Sequence, residues 1–350
     1  IPEGVRMTLR PAEGAVALAI ALAASLGTPA ARATETDQFT LPPKPLDDLG
    51  RDMGAVVLSA LHAAVDELNA SIAERRLRNP QAGLEPSDER KVATRVYEAT
   101  GVGTPEATME RILRYGDYGT RNVRFEPSYS DTIYVGAFSP FPLSHIMTDC
   151  PTIRLYGVYL GTDKPGHIFQ QGYEYYNMVE DAMAGGKSEA DAVARAVAYG
   201  VLTEKGLYGI ALTGVYSNGD LAGNYAGFKF YRNLFHEIRI GETTLAPIVR
   251  RDGDRYAIDP ARDDADIMRP YVTEHLNEAF NPSRPVFSVE RIRGHVRERC
   301  AAWKAQVPEF SETWYRAHLE RNRTWFGENY GWDLPDADEA DLRECFKPGD

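Results

Sequence analysis

The amino-acid sequence predicts a mainly α-helical, α+β protein, with a bundle-like core and a small antiparallel β element, on three observations. Apolar residues between 46 and 74 recur at helical spacing, and two later segments, 163–184 and 217 onward, carry polar side chains along one helical face. Runs of β-branched and aromatic residues broken by Pro and Gly are concentrated between Arg121 and Leu160.

Taken in order, the chain opens with Arg6 and Arg10, an almost wholly apolar run from Ala15 to Gly27, and the small-x-small triplet Ala31-Arg32-Ala33. That pattern predicts a secretory signal peptide over 1–33 and a periplasmic or secreted protein. The apolar run is shorter than the roughly twenty residues a bilayer-spanning helix needs, and no other stretch reads as long and apolar enough, so an integral membrane protein is not expected. Residues 34–45, with Leu41-Pro-Pro-Lys-Pro45, read as an extended leader, and 46–350 as one elaborate domain in three parts, 46–116, 117–235 and 236–350.

Met53, Val56, Val57, Leu61, Val65 and Leu68 define the first helix, and shorter helical patterns follow near 88–100 and 105–115. Asn122–Phe125, Thr132–Val135 and Thr152–Tyr156 read as short strands. A helix is then predicted from Asp163 to Ala184, stopped by Gly185-Gly186. The next starts at a Ser188-x-x-Asp191 capping box and runs towards Glu204 and Leu207. A third begins near Ser217, where Ser217-x-x-Asp220 is again a capping box, and carries Gly223 and Gly227 four residues apart, which lets helix backbones approach closely. Beyond it the sequence predicts a hairpin over 236–259 turning at Asp252-Gly253, then helices near 265–280, 288–305 and 311–328.

The formal net charge is −12, and no basic patch interleaved with aromatics offsets it, so nucleic acid is not an expected partner. Of the three cysteines, Cys300 and Cys345 are the expected disulfide, and Cys150 is read as a buried or idle thiol despite nearby His145 and Asp149. Gly-x-Ser-x-Gly, P-loop, dinucleotide and His-Glu-x-x-His motifs are all missing. His62, His236, His275, His295 and His318 have no ligand-like partners at useful spacing, and Asn277–Ser283 reads as a helix end and turn.

The chemistry-bearing constellation is therefore Asp163-Lys164-x-x-His167 with Asp220-x-x-x-Asn224. An aspartate four residues before a histidine on one helix face raises the imidazole pKa and fixes its tautomer, as a general base or metal ligand requires. Asp163, His167, Glu204 and Asp220 are the catalytic candidates, although Glu204 beside Lys205 reads first as an exposed residue. Lys164, Gln170, Gln171, Tyr173, Ser217 and Asn224 are the substrate-binding candidates. No cofactor is obvious, and a divalent metal held by carboxylates and the imidazole is the one the residue set suggests. The competing reading makes Asp163 and Asp220 helix-start residues and the rest a hydrogen-bonded helix interface.

The pair Asp163-Lys164-x-x-His167 and Asp220-x-x-x-Asn224-x-x-Gly227 resembles the signature of VanZ-like proteins and related small envelope proteins, over two stretches of about fifteen residues. The resemblance implies a cell-envelope setting and packed helices carrying the motif. Glu204, Gly206, Gly209, Ser217 and Asn224 are fainter in their similarity to lysozyme-like glycan-cleaving enzymes. That similarity implies Glu204 as proton donor to a glycosidic oxygen, with Asp163 or Asp220 polarising water or steadying the cation. The expected partner is thus an envelope polymer such as peptidoglycan glycan, or a small ligand. The alternative is a non-catalytic envelope protein whose polar residues only lock helices together.

Overall fold

The computed structural model describes residues 36–103, 106–136, 150–206, 209–210, 214–333 and 340–347. The proposed signal peptide, His145 and Asp149 lie outside the described residues. The architecture is mainly helical with a few small antiparallel sheets. Helices α1 (Gly50–Arg78), α2 (Pro86–Thr100) and α3 (Thr108–Tyr115) form the amino-terminal part. Among the described residues α1 is long and apolar enough, by length and composition, to cross a membrane, contrary to the reading of the sequence. Its Met53, Val57, Leu61, Val65, Leu68 and Ile72 are instead buried in the main apolar cluster at helical spacing.

Strands β1 (Arg124–Phe125), β2 (Thr152–Leu155) and β3 (Val158–Gly161) form one antiparallel sheet in that order. Tyr156 and Gly157 make a two-residue turn with φ of 49° and 91°, and their N–H groups donate to the Asp48 carboxylate at 2.8 and 2.6 Å. Thr132–Val135 is not a strand; it follows a 3₁₀ turn at Tyr129–Asp131, and Ile133 N donates to Asp37 rather than to a ladder.

The helix expected over 163–184 is two helices, α4 (Asp163–Phe169) and α5 (Gln171–Ala184). The break falls at Gln170, whose φ and ψ of −94° and −69° close one helix and open the next. Helix α6 (Glu189–Lys205) starts where Ser188 accepts from Asp191 N, and α7 (Asn218–Asn233) where Ser217 accepts from Asp220 N, as the capping boxes predict. Helix α7 is central: it packs against α4, α5 and α6 and is buried along nearly its whole length.

Its glycines permit this. A Cβ on Gly227 would lie 2.0 Å from the Ile168 carbonyl oxygen and 2.9 Å from Gly172 Cα, and one on Gly223 would lie 2.9 Å from His167 Cβ. The backbones of α7 and of the α4–α5 junction are therefore in direct contact.

Downstream, β4 (Val215–Tyr216) pairs with β9 (Arg284–Pro285). The single hairpin expected over 236–259 is two: β5 (Ile238–Ile240) with β6 (Thr243–Leu245), and β7 (Val249–Asp252) with β8 (Arg255–Ile258). Between 265 and 280 there are 3₁₀ turns rather than a helix, because Pro270 and the Asn277 side chain, which accepts from Ala279 N and Phe280 N, favour local turns. Helix α8 (Val289–Gln306) matches expectation, whereas α9 (Glu312–Asn322) ends six residues short of it. A second apolar cluster, around Ile292, Val296, Trp303 and Tyr315, holds these helices together. Cys300 and Cys345 are bonded and pin the carboxyl-terminal segment to α8; Cys150 is buried and unbridged.

Candidate functional site

Helix α4 presents Asp163, Lys164 and His167 to α7, which presents Asp220 and Asn224 from its first two turns. The Lys164 side chain is fully buried, and its Nζ lies 2.6 Å from Asp163 Oδ2, 2.5 Å from Asp220 Oδ1 and 2.5 Å from Glu278 Oε1. His167 has both ring nitrogens against acceptors: Nδ1 is 2.9 Å from Asn224 Oδ1 and Nε2 is 3.2 Å from Asp220 Oδ2. With its side chain 16 % exposed, His167 is the most accessible member of this group. Asp220 is therefore more than a helix-start residue, since its N–H goes to Ser217 while its carboxylate bridges Lys164 and His167. Asp163 is likewise engaged, accepting from Lys164 and from Thr36 Oγ1 at 3.2 Å.

Glu204 is buried at 3 % exposure, contrary to the exposed position read from its neighbour Lys205. The end of α6 turns its carboxylate inward, and Oε1 accepts from Ser217 N at 2.8 Å. Ser217 Oγ in turn donates to Glu278 Oε1 at 3.4 Å. Five of the sequence candidates, Asp163, His167, Glu204, Asp220 and Asn224, are thus tied together through Lys164 and Ser217. Lys164 faces three carboxylates inside the protein rather than a cleft. The remaining substrate-binding candidates sit elsewhere: Gln170 Nε2 donates to Gly103 O at 3.0 Å, and Tyr173 bonds Thr94 and stacks on Tyr97 with ring centres 4.4 Å apart. Gln171, at the start of α5, has a buried Oε1 without a partner among the described residues.

Two carboxylates escaped the sequence reading. Glu278 lies in the irregular segment before β9, 114 residues from Lys164, where no periodicity marks it. Glu110, on α3, did leave a signal: it falls on the apolar face with Leu113, and its Oε2 would lie 2.9 Å from a Cβ on Gly166. Among the remaining histidines the structure finds partners that the spacing did not offer, His62 with Asp263 at 2.9 Å and His318 with Glu274 at 2.6 Å.

Burial and neighbouring charge divide these groups by protonation state. Burial, then the charges of Asp163 and Glu106, push Glu110 up to about 8. Burial and the Asp220 charge likewise push Glu204 up, and burial raises Glu278 against the pull of Lys164. Burial would also raise Asp220, but the charges of His167 and Lys164 outweigh it and hold the carboxyl below the usual range. Burial would lower His167, yet the Asp220 charge and hydrogen bond raise it to about 9. Burial, Asp163 and Glu110 push the Cys150 thiol well up, which keeps it protonated and unreactive.

These shifts fix a pH dependence. Glu110, Glu204 and His167 keep protons in the folded state that the unfolded chain releases, so their stabilisation is complete below their unfolded values, near 4.5 for the carboxyls and 6.5 for the imidazole. It is lost as pH rises through the folded values, about 8 for Glu110 and about 9 for His167. Asp220 works oppositely and loses its contribution below its unfolded value of 3.8. The melting temperature is expected to fall by several degrees between pH 5 and pH 9; calorimetry showing a flat or rising profile would refute this assignment.

Asp163, His167 and Asp220 offer ligand atoms within 4.8 Å of one another, a donor set of the kind that holds a metal ion. No protein family, curated protein or solved structure matches the chain, so what the site does is argued from its own geometry.

Proposed function

We propose that this cluster is the acid–base centre of an exported protein that hydrolyses an envelope glycan of the peptidoglycan kind. The observation that supports it is the opposite displacement of two neighbouring carboxyls: Glu204 keeps its proton at neutral pH while Asp220 is ionised. Environments that push paired carboxyls apart in this way define an acid and an anion in glycoside hydrolysis. In this reading Glu204 gives its proton to the glycosidic oxygen as the bond to the anomeric carbon breaks. Asp220, held by Lys164 and His167, keeps its charge and steadies the cationic transition state, and Asp163 on Lys164 is placed beside it. Water adds its hydroxide to the anomeric carbon, and its remaining proton restores Glu204. His167, with both nitrogens engaged, orients and charges the site as a positioning residue.

Support for export comes from the Cys300–Cys345 bond, which persists in oxidising compartments, and from the leader pattern in the sequence. A divalent ion is the alternative use of Asp163, His167 and Asp220. It would share both carboxylates with the Lys164 ammonium and require His167 to surrender a proton, and both conditions favour the metal-free reading.

Glu204→Gln tests the proposal, because glutamine mimics the protonated acid and keeps an acceptor for Ser217 N. Peptidoglycan hydrolysis is expected to fall about 10²–10⁴-fold, with and without EDTA, at an unchanged melting temperature. Absence of hydrolysis by the parent protein, or full activity in the variant, would leave only the helix-locking role, which the complete burial of Lys164 favours.

A further inference from the structure

We infer that a second site, an open pocket of about 540 Å³ where the start of α1 meets the β2–β3 turn, binds a phosphate monoester carried on a small molecule. It shares no residue with the acid–base cluster and stands or falls apart from the glycan reading. Four of its eight lining residues are arginines, Arg51, Arg121, Arg154 and Arg269, in a chain with 39 basic against 51 acidic residues. They converge from segments distant in the chain: the first turn of α1, the approach to β1, β2 itself and the 3₁₀ turn at Arg269–Tyr271. A guanidinium keeps its charge throughout the working pH range, and its planar fork matches two oxygens of a phosphate.

The two carboxylates in the lining are already engaged. Asp48 accepts from Gly50 N at 2.7 Å and from Tyr156 N and Gly157 N, with Arg154 Nε 3.7 Å away, and Asp52 accepts from both terminal nitrogens of Arg121 at 2.9 and 3.2 Å. Four arginines less two aspartates leave the lining at +2, which a phosphate monoester neutralises as the dianion it becomes above a pH of about 6. From outside the lining, Asp264 and Asp266 hold Arg51 through Nη1 alone, at 3.2 and 2.9 Å, and Asp266 holds Arg269 through Nη2 alone, at 3.0 Å. The other guanidinium nitrogens of Arg51 and Arg269 have no hydrogen-bond partner among the described residues. These side chains are 59 % and 56 % exposed, so their ion pairs are weak and an incoming anion reaches the charges without first unpacking the protein.

Arg51 also sits where helix chemistry alone would not put it. It is the second residue of α1, at the positive end of the helix dipole, where an acidic side chain is favoured and a cation is not. A departure from local preference of this kind fits a bound anion, which the arginine and the helix end both attract. The volume lies within the roughly 300–1,000 Å³ of small-molecule sites and exceeds what one phosphate group fills. The Tyr156 ring, with the Arg269 guanidinium 4.9 Å from its centre, gives the organic part of the ligand an apolar surface.

Titration calorimetry with glycerol 3-phosphate, at low salt and a pH of about 8 where the ester is dianionic, tests this. The parent protein is expected to bind it more tightly than inorganic phosphate, and Arg51→Gln and Arg269→Gln are each expected to lose at least about tenfold in affinity. Arg51→Gln should keep or raise the melting temperature, since it frees α1 of a misplaced charge, so lost binding there cannot be put down to a lost fold. Arg316→Gln, at an exposed arginine of α9, is the control and should bind as the parent does. No binding of glycerol 3-phosphate by the parent, undiminished affinity in Arg51→Gln and Arg269→Gln, or equal binding of succinate, a dianion without phosphorus, overturns the inference. So does capture by phosphatidylcholine vesicles containing phosphatidic acid when glycerol 3-phosphate does not bind, which would make the patch a membrane contact.

Discussion

Lys164→Met is expected to lose about 3–5 kcal/mol of folding free energy, a large share of the roughly 5–15 kcal/mol that holds a protein folded. Methionine fills similar space, so the loss comes from charge. The Lys164 ammonium lies within 2.6 Å of Asp163, Asp220 and Glu278, and without it three buried carboxyls retain only His167 as a nearby cation of the cluster. Stripping one partner from a buried ion pair leaves charge in a poorly polarisable medium, which costs far more than the pair contributes when intact. Urea titration of the variant measures the deficit. It should shrink near pH 4, where the orphaned carboxyls take up protons, and Lys164→Met with Glu278→Gln should recover part of it at pH 7. A deficit independent of pH would mean that Lys164 contributes by packing alone.

Gly227→Ala is expected to destabilise by about 3 kcal/mol or more, at the upper end of overpacking effects. At an ordinary mid-helix position the same change stabilises by about 0.5–1 kcal/mol. The sign reverses because the new Cβ would meet backbone, Ile168 O at 2.0 Å and Gly172 Cα at 2.9 Å, and neither can rotate away. Separating α7 from the α4–α5 junction would also lengthen the bonds from His167 to Asn224 and Asp220, so stability and site geometry should fail together. Gly294→Ala in α8 is the control, since nothing lies within 4 Å of its Cβ, and it should raise the melting temperature slightly. If both substitutions behave alike, the backbone contact is not what sets the α4–α7 distance.

Local spacing was enough to place Asp163 and His167 on one helix and Asp220 and Asn224 on another. It also gave the Ser188 and Ser217 caps and the small residues of α7, because helical period and capping depend on residues three or four apart. The Cys300–Cys345 bond was legible too, from the number of cysteines and the tail they would pin. The break at Gln170 was not: Gly172, two residues on, reads as one more small residue within a helix, and only the structure shows the junction seated against the α7 backbone at Gly227.

Only the tertiary structure decided that Lys164 faces inward, that Glu204 is buried beside Asp220, and that Glu278 completes the cluster from 114 residues away. Which side chains are desolvated, and by which charges, depends on contacts between segments distant in the chain. Protonation states follow from that burial rather than from spacing, so the sequence could name Asp163, Glu204 and Asp220 but neither Glu278 nor which of the acids keeps its proton.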